Sequence, residues 1–383
     1  MHILTLAHDL ESLGGLERCQ LAVGTALQRL GHEVSLAYLR DGDLHPEWEA
    51  ITFDETKVDS MRLVPQRPVR SGTRLLKAVR SLRHQRFDVV YASHYRQLQI
   101  GAATARLARI PLVFHVHNRP PVSLGPVGRR QVRLPDRSVV VSQSNAEAWW
   151  RVGLDRPSTR VVLNGVDTDR FAPAPSADEI GRLRRRVEVS PSAFVVSFIG
   201  GTANDKGAGV LLDAWHSLGL RPGDGELLIL GRPDAELRRQ LESLSGASAG
   251  ATVRVVGHQP DVVPWLRLSD VVAVPSNTHD PCPLAVLEGL ACGRPVVGSR
   301  IGGIPEMLTG RLADLLVEPG DAVALAAGLD ALRGWSVDRP ELGVACRQHV
   351  LDRFTLDRMV DDLEEVFGEV VGPTTREPVP SIT

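Results

Sequence analysis

"DVVAVPSNTHDPCPLAVLEGLACGRPVVGS", Asp270–Ser299, compresses a strand, a loop, a helix and a second strand into one unit. DVVAVPS is short, apolar and β-branched, as a buried strand is. An acid and two prolines follow, and then Leu284–Cys292 is an unbroken run of helix formers. RPVVGS is a strand again. A helix between two such strands is the βαβ unit of a parallel sheet.

The same rhythm extends in both directions. N-terminal strands are expected at Ile3–Ala7, Glu33–Leu39, Asp88–Ala92, Leu112–Val116, Ser138–Ser142 and Arg160–Leu163, with helices such as Glu17–Leu30 and Thr73–His84 between them. NGVDTDRFAPAPSADE (164–179) is turn- and proline-rich and is expected to connect two domains. AFVVSFIG, ELLILG, TVRVVG and LADLLV continue the strand pattern beyond it, and an amphipathic helix at about Leu356–Val371 precedes a polar tail. The expected fold class is α/β, two Rossmann-like doubly wound domains facing a central cleft at the carboxyl ends of both sheets.

With 383 residues, 43% hydrophobic and 23% charged, the chain can bury about two cores. No apolar run reaches the ~18 residues of a membrane span. MHILTLAHDL enters a strand-like run directly, so no signal peptide is expected. Cys19, Cys282, Cys292 and Cys346 lack metal-site or disulfide spacing, which points to a reducing, cytoplasmic setting. Charge is uneven. Residues 1–165 carry 23 basic and 15 acidic side chains, and residues 60–137 carry 16 basic against 2 acidic. This N-terminal region is expected to meet an anionic partner, either a phosphorylated acceptor or a lipid surface. Helix Thr73–His84, with Leu75, Leu76, Val79 and Leu82 on one face, and GRRQVRLPDR (128–137) are candidates for peripheral membrane contact. Residues 1–59 carry 11 acids against 4 basic residues, with Asp9, Glu11 and Glu17 around a glycine loop, so a cationic or neutral small molecule remains open. No nucleic-acid partner is expected.

Two places suit chemistry. In FIGGTANDKGAGVLLDAW a strand ends at Gly200 and Lys206 stands at a helix start, where free amides and an ammonium suit a phosphate. Lysine occurs only at 57, 77 and 206, in a chain where 41 of 44 basic residues are arginine, so Lys206 supplies a compact charge where arginine is the default. In the opening unit, Pro281 and Pro283 stiffen a helix start and leave the amides of Cys282, Leu284 and Ala285 pointing forward. Asp280 is positioned to reach sugar hydroxyls, and Glu288, one turn into the helix, a ribose diol. DGD (41–43) and DTD (167–169) are read as loop and turn acids rather than metal pairs, and WW (149–150) as helix packing.

These stretches, with VVLNGVDTDRFAP, GRPVVGSRIGGIPEML and the N-terminal LGGLER, resemble the retaining glycosyltransferases of family four, which have the GT-B fold. The resemblance covers nearly the whole chain to about residue 370. It implies an acceptor-binding domain at 1–165, a nucleotide-sugar donor domain at 166–352, a helix at 353–371 crossing back to the first domain, and a flexible tail at 372–383. Carried over by position, Lys206 meets the donor diphosphate, Glu288 the nucleotide ribose, and the amides around Cys282, Pro283 and Leu284 the donor sugar and phosphate. His117 in VFHVHNRP stands beside the reacting sugar and, with Asn118, on the acceptor side, while His115 is read as buried. Gly14 and Gly15 let the first loop approach donor and acceptor, and Gly200 and Gly201 lie on the donor side.

Two positions depart from the family. Asp280 replaces the usual glutamate, and Gly201 replaces an arginine that serves as a second cation at the diphosphate. Its loss costs on the order of 2–3 kcal/mol unless another group, such as Arg232, replaces it. The implied reaction retains anomeric configuration, uses a UDP- or GDP-linked sugar and a small-molecule or lipid-linked acceptor, and needs no cofactor and no metal. The competing readings are a nucleotide-sugar epimerase of the same fold and a nucleotide-sugar-binding protein without transfer activity.

Overall fold

The apolar runs assemble into two wholly parallel sheets. The computed structural model describes residues 1–12, 14–64, 66–83, 85–200, 204–244 and 252–372. The first sheet contains β1 (His2–Asp9), β2 (Glu33–Arg40), β3 (Asp54–Lys57), β4 (Val89–Ala92), β5 (Leu112–Val116), β6 (Arg137–Val140) and β7 (Thr159–Val161), in the order β3-β2-β1-β4-β5-β6-β7. The second contains β8 (Phe194–Ile199), β9 (Gly225–Leu230), β10 (Thr252–Val255), β11 (Val271–Val274), β12 (Val296–Ser299) and β13 (Leu316–Val317), in the order β10-β9-β8-β11-β12-β13. Ile3 lies opposite Val34 on one side and Val89 on the other, and all three are buried, because helices cover both faces.

Three elements differ from expectation. β3 is the polar DETK at a sheet edge, where only the ladder and not apolar pattern marks a strand. LADLLV is mostly a 3-10 helix, Gly310–Leu315, leaving only Leu316–Val317 in the sheet. The helix expected from Thr73 begins at Pro68, since proline's missing N–H costs nothing in a first helical turn. Leu76 on that helix is exposed, unlike Val79 and Leu82.

The helix Leu356–Val371 lies on the first sheet. Met359, Val360, Leu363, Val366 and Phe367 share one core with Ile3, Leu27, Val89 and Tyr91, and Phe367 meets the Tyr91 ring edge-on at 5.6 Å. The two crossings between sheets run side by side: Val166 N–H donates to Phe354 C=O (2.9 Å) and Leu356 N–H to Val166 C=O (3.0 Å). A Cβ on Gly165 would stand 2.3 Å from the Thr355 carbonyl oxygen, so only glycine fits this crossing.

Strand order reverses between β1 and β4 and again between β8 and β11. Loops leaving such neighbours diverge and open a crevice at the carboxyl ends. Ser12, Gly14, Ser93 and His94 from the first sheet face Gly200, Ser276 and Asp280 from the second across one shared cleft. The calls for Gly201 and for the tail at 373–383 lie outside the described residues.

Candidate active site

Glycines build the floor on the β8–β11 side. Gly207 has φ +75°, and a Cβ there would stand 1.8 Å from the Pro275 carbonyl oxygen. Asn204–Lys206 is therefore a 3-10 turn packed onto the end of β11, and Asn277 N–H donates to Asp205 C=O at 2.9 Å. The α-helix itself begins at Ala208. Gly302 and Gly303 do the same beneath the opening unit: their Cβ atoms would fall 2.2 Å from the Asp280 carbonyl oxygen and 1.8 Å from that of Pro281.

This packing joins two residues to which the sequence assigned separate tasks. Lys206 Nζ donates to Asp280 Oδ2 at 2.8 Å, and Ser276 Oγ donates to the same oxygen at 2.9 Å. Asp280 is buried while Lys206 stays partly open to the cleft. The carboxylate is thus engaged and its charge compensated. Beyond it the helix is Leu284–Ala291, with Pro283 as its N-cap. Its first backbone bond runs from Val286 N–H to Pro283 C=O (3.1 Å), so the amides of Leu284 and Ala285 head the ladder at the cleft wall. The Cys282 thiol turns inward to Met307 Sδ (3.7 Å), and burial pushes its pKa up to about 12. Glu288 lines the same wall. Burial raises its carboxyl to about 7, with Arg170 and Arg18 opposing.

Across the cleft, Gly14 caps the helix Gly15–Arg29. A Cβ on Gly15 would lie 3.3 Å from Leu284 Cδ1, so the two domains touch here. His117 follows β5. Burial lowers its pKa to about 4, with the Asn164 side chain beside it pulling the other way, so the imidazole is neutral near pH 7. Its Nε2 is buried and has no partner among the described residues. A neutral ring can donate or accept there according to tautomer. His115 is fully buried, and its Nδ1 meets the Tyr91 hydroxyl at 2.7 Å. The Asn118 carbonyl accepts from Trp149 Nε1 at 2.7 Å, which fixes the loop.

Gly14, Gly15, His117, Asn118, Gly200, Lys206, Asp280, Cys282, Pro283, Leu284 and Glu288 therefore line one cleft of about 950 Å³, with Arg232 also on its wall. Sequence reasoning missed Asn164, which it placed in a turn. Asn164 is buried and its Nδ2 donates to the Cys282 carbonyl at 3.1 Å across the domain junction. It also missed Glu306, whose carboxylate accepts from the amides of Gln143 and Ser144, each at 2.8 Å. GGIPE had signalled only a motif. The acids of DGD and DTD serve the chain: Asp43 accepts from Ser12 N–H (2.6 Å), Asp41 pairs with Lys57, and Asp167 accepts from Asp169 N–H (3.0 Å). Trp149 is core, edge-on to Phe114 at 5.9 Å.

Comparison with known proteins gives concordant results. Residues 13–170 match the family described as Glycosyltransferase Family 4, and residues 193–333 that described as Glycosyl transferases group 1. A D-inositol 3-phosphate glycosyltransferase of Xylanimonas cellulosilytica is 31% identical over 317 residues, which covers 76% of this chain and 73% of that protein. One from Salinispora tropica is 30% identical over 329 residues, covering 79% and 67%. Among solved structures, Anabaena HepE in complex with UDP and glucose superposes with a TM-score of 0.81 at 22% identity, covering 96% of this chain and 99% of that one. A glycosyltransferase from Rickettsia africae gives 0.82 at 17% identity, covering 97% and 99%. At these identities the two structures speak for the fold.

Proposed function

The chain belongs to glycosyltransferase family four and is a glycosyltransferase of GT-B fold, and from that premise we propose that it transfers a sugar from a UDP- or GDP-linked donor to an acceptor hydroxyl with net retention. The observation that carries this reading is the convergence of the Lys206–Asp280 pair and the amides of Leu284 and Ala285 on a cleft whose opposite wall holds His117. The donor diphosphate lies at Lys206 and the helix start, the ribose diol at Glu288, and the sugar between Asp280 and His117. Without donor, Lys206 and Asp280 satisfy each other. A bound diphosphate draws the ammonium away and frees the carboxylate for sugar hydroxyls.

The acceptor oxygen attacks the anomeric carbon on the face the diphosphate leaves. The bond from carbon to diphosphate oxygen breaks, the new glycosidic bond forms, and the hydroxyl proton passes to the departing diphosphate. Charge stabilisation of the leaving group and positioning then carry catalysis. Lys206, the helix-start amides and Arg232 provide this without a resident metal. The acceptor sits against Gly14, Gly15, His117 and Asn118, and it is a small molecule or lipid-linked. The relatives named for D-inositol 3-phosphate favour an anionic one. Buried, unpaired thiols accord with a cytoplasmic protein, peripheral on the inner face of the membrane if the basic 60–137 region makes that contact. Among the described residues no helix is long and apolar enough to cross a membrane.

Calorimetric titration with UDP and GDP, with and without chelator, tests the donor half. Micromolar binding of one diphosphate, unchanged by chelator and weakened in Lys206→Ala and Glu288→Ala, is expected. Absence of binding to either would overturn the donor site.

A further inference from the structure

A second cavity, of about 350 Å³, opens beside the acceptor half of the cleft. Leu63, Pro68 and Val127 supply apolar lining, and Tyr95, Arg62 and Arg96 line it with them. Arg96 lines both cavities, so they adjoin at its side chain.

The wall is built rather than loose. Leu63 N–H donates to Gln99 Oε1 at 2.5 Å, and Val64 N–H to Ser71 Oγ at 2.9 Å, which pins the segment before the helix Pro68–Leu82. Just past β4, His94 Nδ1 accepts from Arg96 N–H (3.1 Å) while Gln97 Oε1 accepts from His94 N–H (3.0 Å). That reciprocal cap fixes the backbone at Arg96, whose side chain is exposed. The Tyr95 ring lies 4.6 Å from that of His94.

Charge and polarity then specify the occupant. Arg62 and Arg96 make no ion pair among the described residues, and Arg96 lies over the Tyr95 ring at 5.9 Å. Among the described residues no acidic side chain lines this cavity, and Asp9 in the neighbouring cleft is engaged by Arg40 Nε at 3.4 Å. The charge left over on this side is positive, which favours an anion over a cation. Leu63 and Val127 are 47% and 70% exposed, an apolar surface left in water next to two guanidinium groups.

We infer that this second cavity seats the acceptor and selects an amphiphile, with its apolar part against Leu63, Pro68 and Val127 and its anionic group between Arg62 and Arg96, so that its hydroxyl reaches His117. The inference rests on the donor and acceptor halves assigned above. A soluble alkyl phosphate and a phospholipid in a bilayer offer the same chemistry.

Binding to the full chain separates the cases. Octyl phosphate below its micelle concentration is titrated beside octyl glucoside, inorganic phosphate and UDP, on the wild type and on Arg62→Glu and Val127→Asp. Octyl phosphate should bind roughly tenfold tighter than either half-ligand, as one charge-assisted contact or a few buried methylenes allow. Each variant should weaken it severalfold and leave UDP binding intact. Cosedimentation with phosphatidylglycerol vesicles, lost in both variants, would assign the bilayer source; octyl phosphate binding without cosedimentation would assign a soluble one. Octyl phosphate no tighter than octyl glucoside or inorganic phosphate, or indifferent to both substitutions, overturns the inference. Loss of UDP binding by the wild type would instead strike the donor site.

Discussion

Glu288 shows how burial gives a single carboxyl a pH dependence. Its folded pKa is near 7 against an ordinary 4.5. Below about 4.5 it is neutral folded or unfolded. As pH rises toward 7, the unfolded chain ionises freely while the folded one resists, so folding loses stability. Above 7 the penalty is complete, at most about 3 kcal/mol. Glu288→Gln should therefore gain stability relative to wild type between pH 5 and pH 8, measured by chemical denaturation. A constant difference would mean the carboxyl ionises normally. Lys206 and Asp280 form a pair whose halves depend on each other. Lys206→Ala should lower transfer ~10²–10³-fold. It should also destabilise the fold by about 1–2 kcal/mol by leaving a buried carboxylate to Ser276 alone. Adding Asp280→Asn should restore the stability but not the rate, a pattern that a double-mutant cycle reads directly.

At the scale of elements, glycine decides whether the catalytic loops can stack. Gly207 combines φ +75° with a carbonyl oxygen 1.8 Å from where a Cβ would stand. Gly207→Ala should cost over ~2 kcal/mol, and it should abolish diphosphate binding even where folded protein is recovered, because the turn bearing Lys206 is pushed off β11. Retained affinity in that variant would detach Lys206 from the donor site. The KG pair and the double glycine of GGIPE were legible as motifs, but not as packing. Their reason is a carbonyl oxygen contributed by another loop, and one sequence does not reveal such contacts. β3 was missed for the complementary reason: DETK has no apolar signal, and its strand exists because β2 offers it a ladder.

At the scale of the molecule, the two domains are held together across the cleft. Glu306 Oε2 and Oε1 accept from Gln143 and Ser144 N–H, the first amides of the helix Gln143–Val152, and Ser144 Oγ meets His279 Nε2 at 3.0 Å. Arg119 reaches over to Thr278 (2.7 Å) and Asp205 (3.3 Å). A carboxylate on free amides at a helix start contributes about 1–2 kcal/mol to this closed arrangement. Glu306→Ala should expand the molecule in small-angle scattering and lower kcat/KM about tenfold, with UDP affinity little changed because the contacts assigned to UDP at Lys206, Glu288 and the helix-start amides lie in the second domain. An unchanged radius of gyration would remove Glu306 from the closure. Sequence by itself determined the two parallel sheets, the cleft between them and most of the residues on its walls. The sheets and cleft follow from apolar periodicity and turn chemistry, and Lys206, Asp280 and Glu288 from helix-start patterns, all local along the chain, whereas Gly14, Gly15, His117 and Asn118 were placed by the family resemblance. Tertiary structure alone decided which of those residues meet: that Lys206 is paired with Asp280, that Asn164 reaches the Cys282 carbonyl, and that Arg96 stands between two cavities. Each of those contacts joins positions far apart in the chain, and their proximity depends on how the sheets and loops close in space, which no local pattern encodes.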